Sequence, residues 1–336
     1  GILTAPVIDS TGAILFLARA DGYRDRWFRV LPNGNIDESY NRNIGETGQI
    51  TAMARMADGR IIIAGNFNRI NGVVRSTFAR LNPDGSLDPT FDAGTGFSSP
   101  PTRIAVQPDG KVIAIGTFNV AEGVRALRLN ANGTRDTTFQ PSFTGMYYGP
   151  AFYSLVVQPD GKFLIGGYFF SVNGTARKSL ARFNADGTLD TTFNPAVRTT
   201  GDTIYDILLT TDGKFVIGGF FISANHVLSD IIRLNSDGSL DQTFNSPIFD
   251  IVQQLFAQPN GKILAVTGGS RRIDGPTRLR RINTDGSLDS SFDPDFNAVQ
   301  LKVGHLEDET LIDSVIPRAD GSIIVGGHFH TVNGLI

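Results

Sequence analysis

Two kinds of glycine turn alternate along the chain, and this repetition constrains the fold more than any other feature of the sequence. Glycines of the first kind usually follow Asp or Asn and lie at positions 12, 59, 110, 161, 213, 261 and 321. Glycines of the second kind lie between them, at positions 34, 85, 133, 187, 238 and 286. A fixed period of this length marks a repeat architecture. The sequence therefore predicts about seven copies of one unit, starting near residues 1, 48, 99, 150, 202, 250 and 310.

Each copy has the pattern of four antiparallel strands, which we label A to D. Asp58-Gly59 precedes a short run rich in β-branched residues, and this combination is a strong hairpin signal. The run ends in Gly-x-Phe, and Asn71-Gly72 then marks a turn before strand C. Four-stranded units repeated about seven times predict an all-β fold, a β-propeller forming a single domain over residues 1–336. A linear solenoid also fits the spacing, but the strand content of each unit favours a ring of blades.

The second hairpin of each copy carries the most regular residues. Five positions before its glycine stands an arginine, at Arg29, Arg80, Arg128, Arg182, Arg233 and Arg281. Three positions after it stands an aspartate, at Asp37, Asp88, Asp136, Asp190, Asp241 and Asp289. Six positions after it stands an aromatic residue, at Tyr40, Phe91, Phe139, Phe193, Phe244 and Phe292. We expect a cross-strand Arg–Asp pair on strands C and D, with the aromatic ring between neighbouring blades. Six equivalent copies indicate a scaffold contact rather than an active site.

The combined motif resembles a known repeat family. It reads Asp-Gly-Lys-x-x-x-x-Gly-Gly-x-Phe, then Asn-Gly, then Arg-x-Asn-x-Asp-Gly-Ser-Leu-Asp-x-Thr-Phe, and its clearest copy runs from Gln158 through Arg182 to Phe193. This pattern resembles the delta-60 repeat family of β-propellers. The resemblance implies part of a large secreted or surface-attached bacterial protein, and so an extracellular or cell-surface location. It brings no shared catalytic residues.

The first and last copies depart from the pattern. The first has Ser10-Thr11-Gly12 in place of Asp-Gly-Lys, as is common for a terminal repeat. The last copy stops at Asn333-Gly334-Leu335-Ile336, so its blade is incomplete and lacks strands C and D. An exposed strand B edge invites pairing with another strand. We expect either that the natural protein continues or that the edge is covered.

Composition excludes several classes of function. The formal net charge of −3 provides no basic field for a phosphate backbone, so nucleic acid is not an expected partner. The chain has no cysteine, which excludes disulfides, thiolate nucleophiles and Cys-ligated zinc. No apolar run reaches the length of a membrane-spanning helix, so no membrane span is expected.

No cofactor is expected, although calcium is an alternative at one motif. Asn82, Asp84, Gly85 and Asp88 superficially match a calcium loop, but the twelve-residue loop with a terminal Glu is missing. Turn chemistry accounts for Asn, Asp and Gly in this pattern without a metal ion.

Function is expected where the copies differ. The third connection between copies carries Tyr147, Tyr148, Phe152 and Tyr153, and its tyrosines could stack on sugar rings, hold a peptide or pack between blades. In the fifth copy, His226 ends an Ala-Asn-His sequence that replaces Asn-Gly. In the sixth copy, Arg271 and Arg272 belong to a basic cluster, which suits either an acidic glycan or a solvated surface.

Three histidines form a last candidate site in the final copy. His328 and His330 alternate on one strand and therefore share a face, and His305 lies in the long connection before them. Together with nearby acidic residues they could form a metal or acid–base site. Other copies carry Asn or aromatic residues at the positions of His328 and His330. The alternative explanation is that these two positions, on either side of the phenylalanine of Gly-x-Phe, simply vary between copies.

Three functional classes remain. A non-catalytic extracellular binding or interaction module with a glycan or protein ligand is favoured, because no nucleophile, base and orienting acid have catalytic spacing. A polysaccharide lyase or glycoside hydrolase that uses carboxylates at the channel mouth is the first alternative. A structural spacer in a larger surface protein or assembly is the second.

Overall fold

The computed structural model describes most of the chain, and all its regular elements are strands. The described residues are 7–9, 11–20, 24–37, 48–94, 97, 99–116, 126–145, 149–195, 203–220, 230–268, 277–297, 311–328 and 331–333. The all-β prediction is confirmed over these residues. Within them we find no helix with the length and apolarity needed to cross a lipid bilayer.

Seven antiparallel sheets follow one another in chain order, one for each predicted copy. Six of them have three strands: β1 (Val7–Ile8), β2 (Ile14–Ala20) and β3 (Arg24–Val30); β4 (Gly48–Arg55), β5 (Ile61–Phe67) and β8 (Phe78–Leu81); β9 (Arg103–Val106), β10 (Val112–Ile115) and β11 (Ala126–Leu129); β13 (Ala151–Val157), β14 (Phe163–Tyr168) and β17 (Leu180–Phe183); β18 (Thr203–Leu209), β19 (Phe215–Phe220) and β20 (Ile231–Leu234); β21 (Val252–Ala257), β22 (Ile263–Thr267) and β23 (Arg278–Ile282). The seventh pairs β25 (Leu311–Pro317) with β26 (Ile323–His328). The middle strand is the second of each copy.

Short strands pair near the turns between strands B and C. They are β6 (Arg69–Ile70) with β7 (Val73–Val74), β12 (Phe143–Thr144) with β15 (Ser171–Val172) and β16 (Thr175–Ala176), and β24 (Phe296–Asn297) with β27 (Thr331–Val332). The predicted turn at Asn71-Gly72 is confirmed: φ is 51° at Asn71 and 79° at Gly72, as a type I′ hairpin turn requires.

The predicted strand D is reduced to a single bridge among the described residues. In the second copy this is Leu81↔Leu87, and five other copies have the equivalent bridge. Pairing ends at this bridge because of the next residue, Asp88. Its Oδ1 accepts hydrogen bonds from the amide of Thr90 at 2.9 Å and from the hydroxyl of Thr90 at 2.6 Å. This Asx turn bends the chain away from strand C, so pairing ends after one residue.

The chain divides into two compact units. Unit 1 comprises Gly1–Leu164, Phe169–Ala176 and Arg182–Asp190, and unit 2 comprises Ile165–Tyr168, Arg177–Ala181 and Thr191–Ile336. The prediction of one domain over residues 1–336 stays a prediction.

Each unit has a hydrophobic core in which side chains of consecutive copies pack together. In unit 1, Ile62 and Phe91 of the second copy pack with Val112 of the third. In unit 2, Phe244 of the fifth copy packs with Val252 and Ala265 of the sixth. The prediction that the repeated aromatic ring lies between neighbouring copies is confirmed at these positions.

Four glycines of the second turn kind approach the preceding copy closely, namely Gly133, Gly187, Gly238 and Gly286. A Cβ atom on Gly286 would lie 2.7 Å from the amide nitrogen of Asn245, and φ at Gly286 is +92°. At Gly213, a first-turn glycine, φ is +79° but nothing lies within 4 Å of the equivalent Cβ position. Both positions therefore need the positive φ that glycine adopts easily, but only Gly286 lacks the space for a Cβ atom.

We predict that Gly286→Ala destabilises the protein more than Gly213→Ala. Both substitutions impose the cost of positive φ, and only the first adds a backbone overlap, with an expected extra cost of about 1–3 kcal/mol. Urea unfolding of the two variants measures the difference. Equal losses of unfolding free energy would show that this close approach does not contribute to stability.

Candidate functional site

The predicted Arg–Asp pair is confirmed in all six copies. Arg80 Nε lies 2.8 Å from Asp88 Oδ2, on side chains that are each less than a tenth exposed. The shortest Arg–Asp distances in the other five copies range from 2.7 to 2.9 Å. The pair joins strand C to the residue just after the bridge, where Asp88 also donates its amide to the carbonyl oxygen of Arg80 at 2.8 Å.

A second cation joins each aspartate in copies two to six, and its contact was missed by the sequence analysis. This residue follows the first-turn glycine, and its nitrogen reaches Oδ2 of the aspartate. The pairs are Arg60–Asp88 at 2.8 Å, Lys111–Asp136 at 3.4 Å, Lys162–Asp190 at 3.0 Å, Lys214–Asp241 at 2.8 Å and Lys262–Asp289 at 2.7 Å. The sequence feature that indicates this contact is the basic residue that recurs one position after the first-turn glycine.

The first copy inverts this arrangement. Ala13 occupies the position of the second cation, so Asp37 pairs with Arg29 at 2.7 Å. Arg29 also contacts Asp9 Oδ2, at 2.6 Å from Nη2 and 2.8 Å from Nε. One arginine between two carboxylates thus replaces one carboxylate between two cations.

The repeated arginines also bind the next copy. Arg80 Nη1 donates to the carbonyl oxygen of Ala131 at 2.7 Å, in the second turn of the third copy. Arg128 donates in the same way to Ala185 and Asp186, each at 2.8 Å. Arg233 Nη1 donates to Thr284 at 2.7 Å. Because these three guanidinium groups donate hydrogen bonds both within their own copy and to the next, they form a scaffold.

The same guanidinium groups lie over the repeated aromatic rings. Arg80, Arg128, Arg233 and Arg281 lie with Cζ 5.1, 5.3, 4.8 and 4.5 Å from the ring centroid of the phenylalanine in the same copy. Such cation–π contacts add to the ion pairs. One arginine thus connects an aspartate, a phenylalanine and the following turn.

The scaffold holds its aspartates ionised. Burial alone would raise the pKa of Asp136, but hydrogen bonds from the hydroxyl and amide of Thr138 and the charge of Arg128 outweigh it and lower the pKa to about 2. The pKa of Asp88 and the pKa of Asp241 are also well below the ordinary value of 3.8, because hydrogen bonds and paired cations again outweigh burial. Aspartates in this state are poor general acids.

Most of the predicted ligand-binding residues lie outside the described residues. These are Tyr147, Tyr148, His226, Arg271, Arg272, His305 and His330. The backbone of His328 is described within β26, opposite Leu311, and its side chain is outside the description. No group of three possible metal-binding His, Asp or Glu side chains occurs in the described part of the chain.

Tyr153 is described, and it lies in a strand rather than in the third connection. It belongs to β13, where its side chain is 37% exposed. Its neighbour Phe152 points the other way and is buried, with its ring centroid 4.6 Å from that of Phe143. Phe152 is therefore a core residue, and Tyr153 is the exposed member of this pair.

Tyr153 belongs to a set of equivalent positions that the sequence analysis did not recognise. Each lies eight residues before a first-turn glycine, in the first strand of its sheet or directly before it. The described members are Thr51, Thr102, Tyr153, Tyr205, Gln253 and Asp313. All six are exposed or half-buried, whereas the preceding residue is buried in every copy. We call Thr51, Thr102 and Tyr153 the row of unit 1, and Tyr205, Gln253 and Asp313 the row of unit 2.

In at least four copies, this residue lies at a β-bulge. Pairing with the middle strand shifts register between Ile50 and Ala52, and equivalent shifts flank Tyr205, Gln253 and Asp313. A bulge leaves the extra residue unpaired and redirects its side chain. The bulged position is thus free to vary without loss of sheet pairing.

Hydrogen bonds hold the first strands of consecutive copies together. In unit 1, Thr51 Oγ1 donates to the carbonyl oxygen of Pro101 at 2.6 Å. In unit 2, Asp206 Oδ2 accepts from the amide of Leu255 at 2.8 Å, and Gln254 Nε2 donates to the carbonyl oxygen of Asp313 at 3.3 Å. Each row therefore presents neighbouring side chains from a connected set of strands.

The acid stability of the scaffold provides a test of its electrostatics. A carboxyl whose pKa falls from 3.8 to about 2 on folding stabilises the folded state above pH 4, and this contribution disappears as the pH falls from about 4 to 2. We predict that Asp136→Asn removes this part of the pH dependence. It also leaves Arg128 buried with an unpaired charge, at a cost of about 3–5 kcal/mol near neutral pH.

The matched control is Asp109→Asn, which changes an exposed aspartate outside the ion cluster and keeps an acceptor for the amide of Lys111. Urea unfolding from pH 7 to pH 2 measures both variants. If Asp136→Asn follows the wild-type curve with no greater loss than Asp109→Asn, the buried pair does not stabilise the fold.

Comparison with known proteins identifies the repeat. A family model described as "Domain of unknown function (DUF5122) beta-propeller" matches residues 57–91, 107–139, 158–193, 210–244 and 258–292, which is more than half of the chain. These five matches each span the first turn, the ion cluster and the repeated phenylalanine of one copy. A search of curated proteins found no match.

Solved structures with the same fold include two lyases. A streptogramin B lyase has 16% identity and a TM-score of 0.58, with 97% of this chain and 89% of the lyase covered. A virginiamycin B lyase from Staphylococcus aureus has 12% identity and a TM-score of 0.56, with coverages of 94% and 88%.

A third similar structure is the extracellular domain of a protein described as a one-component system from Bacteroides thetaiotaomicron. It has 15% identity and a TM-score of 0.54, with 98% of this chain and 37% of that chain covered. At these identities the likeness concerns the fold alone. The repeated motif, its geometry and the family match agree, and the chain belongs to the DUF5122 beta-propeller family.

Proposed function

We propose that this chain is a non-catalytic extracellular binding module, a β-propeller of about seven four-stranded blades that holds a glycan through the variable positions of its first strands. The observation that carries the proposal is the contrast between two sets of residues. The constant Arg, Asp and Phe residues are occupied in contacts within and between copies. The residues of the two rows are exposed or half-buried, and four residue types occupy their six positions.

The chemistry of the rows favours a carbohydrate ligand. Tyr153 and Tyr205 offer an aromatic face with a polar tip, which suits the apolar face and hydroxyl groups of a sugar ring. Gln253 and Asp313 supply amide and carboxylate groups that hydrogen-bond to hydroxyls. The candidate ligand contacts predicted from the sequence also include Tyr147, Tyr148, His226, Arg271, Arg272, His305, His328 and His330.

A polysaccharide lyase or glycoside hydrolase receives less support from the described residues. A hydrolase needs two carboxyl groups beside the scissile bond, and one of them must carry a proton. The repeated aspartates are unsuited to this role, because paired cations and hydrogen bonds lower the pKa of Asp88, Asp136 and Asp241.

We place this module outside the bacterial cell, as part of a larger secreted or surface-attached protein. Support comes from the resemblance of its motif to the delta-60 repeat. A binding module on a cell surface needs neither a cofactor nor a membrane span of its own, and its partner would be a glycan of the surroundings.

The proposal predicts glycan binding that depends on Tyr153. A glycan array with the wild-type protein identifies a ligand, and titration calorimetry then measures its dissociation constant. We expect Tyr153→Ala to weaken binding at least tenfold, about 1.4 kcal/mol, because the stacking surface is lost. Its melting temperature should stay close to that of the wild type, since the side chain is 37% exposed.

Phe249→Ala is the control, because it removes an exposed aromatic ring, 59% accessible, that lies outside both rows. Its affinity for the same glycan should equal that of the wild type. Equal affinity of the Tyr153→Ala variant would place the site elsewhere. Absence of any glycan ligand, combined with capture of a protein that Tyr153→Ala abolishes, would replace the glycan with a protein partner.

A further inference from the structure

Arg103 follows the row position of the third copy, and it differs from its equivalents in the two adjacent copies. It lies seven residues before a first-turn glycine, as Ala52 and Ser154 do in the second and fourth copies. Ala52 is 6% exposed and Ser154 is 3% exposed, whereas Arg103 is an exposed residue. A long cationic side chain therefore stands at a position where the adjacent copies bury a small one.

Other copies show where side chains at this position are directed. In the sixth copy, Gln254 Nε2 donates to the carbonyl oxygen of Asp313 at 3.3 Å, and Asp313 is the row residue of the seventh copy. The fifth copy makes a similar bond to the first strand of the sixth. In unit 1, β9 lies against β13, which carries Tyr153 at the row position. By this equivalence, Arg103 and Tyr153 are neighbours on one surface.

The guanidinium group of Arg103 keeps most of its donors available. Its Nη1 donates to the carbonyl oxygen of Thr102 at 2.9 Å. In the part of the chain that the structure describes, this is its one hydrogen bond and it makes no ion pair, in contrast to Arg80 beside Asp88. Nε and Nη2 form an edge of the planar group that matches the two oxygens of a carboxylate.

The threonines of the row of unit 1 use their hydroxyl protons within the protein. Thr51 Oγ1 and Thr102 Oγ1 donate to backbone carbonyl oxygens at 2.6 Å and 3.1 Å, respectively. A hydroxyl has a single proton, so neither can also donate to a ligand. Recognition by this surface therefore depends on the ring of Tyr153 and the cation of Arg103.

The charges of the first strands distinguish the two rows. The first strands β4, β9 and β13 of unit 1 contain Arg55 and Arg103 and no Asp or Glu. The first strands β18, β21 and β25 of unit 2 contain Asp206 and Asp313 and no Lys or Arg. Because like charges repel, an anionic ligand is favoured beside the row of unit 1 and disfavoured beside the row of unit 2.

We propose that the glycan held by the row of unit 1 contains a uronic acid, whose ring stacks on Tyr153 and whose carboxylate pairs with Arg103. This inference rests on the proposed function and names the class of its ligand. A uronic acid fits both groups because its carboxylate is attached directly to the ring that stacks. Arg103 thus selects the charge of the sugar, and Tyr153 holds the ring whatever its charge.

The probes are tetrasaccharides of galacturonate, glucuronate, mannuronate and guluronate, each paired with its methyl ester, which keeps the ring and removes the charge. Titration calorimetry with the whole chain measures their dissociation constants. We expect at least one acid to bind at least tenfold more tightly than its ester at about 50 mM NaCl, and this preference should fall at about 500 mM NaCl because salt screens the charge pair.

Variants of two exposed arginines identify the source of this preference. Arg103→Gln should bind the acid no more tightly than the ester, and Arg103→Lys, which keeps the charge and loses the planar edge, should retain part of the preference. Arg135→Gln is the matched control, because Arg135 is exposed and is bridged to Leu129 at the other end of the same sheet. Its preference and the melting temperatures of all these variants should equal those of the wild type.

Three results would overturn the inference: no acid preferred over its ester, a preference that persists in Arg103→Gln, or an equal loss of preference in Arg135→Gln. Binding of a neutral glycan that needs Tyr153 and is unchanged in Arg103→Gln would overturn this inference and leave the proposed function standing. Absence of any glycan ligand would overturn both.

Discussion

The arginine of the third strand is the interaction on which the rest of the structure depends. Its guanidinium pairs with an aspartate of the same copy, lies over the phenylalanine that follows and donates to carbonyl oxygens in the next copy. Five donors in a rigid plane make arginine suited to several partners at once. Stability of one copy is thereby tied to its neighbour, as expected for repeat proteins.

This scaffold leaves particular positions open to change. A residue in the cluster cannot vary without leaving a buried charge or donor unpaired. The bulged position of the first strand lies outside this cluster, and it is occupied by Thr, Tyr, Gln and Asp in different copies. Function in this protein is therefore best sought in residues that the repeat does not hold constant, and Tyr153 is the best described of them.

The sequence predicted what depends on constant spacing and missed what depends on geometry. Turn glycines, the Arg–Asp pair and the aromatic ring recur at fixed intervals, so their roles could be derived from the pattern. Strand D could not, because the side chain of Asp88 bends the chain after a single bridge. The role of Lys214 was also missed, since its aspartate lies 27 residues away in sequence. Tyr153 was assigned to the third connection, whereas it lies in β13.

The most direct test of this account is hydrogen exchange in Arg233→Met. Arg233 contacts Asp241 in its own copy and the carbonyl oxygen of Thr284 in the next, where Asp285 also accepts the amide of Asn245. Mass spectrometry of the variant should show lost protection both in residues 231–245 and in residues 283–290. Loss confined to residues 231–245, with wild-type protection of the next turn, would contradict the claim that this arginine holds consecutive copies together.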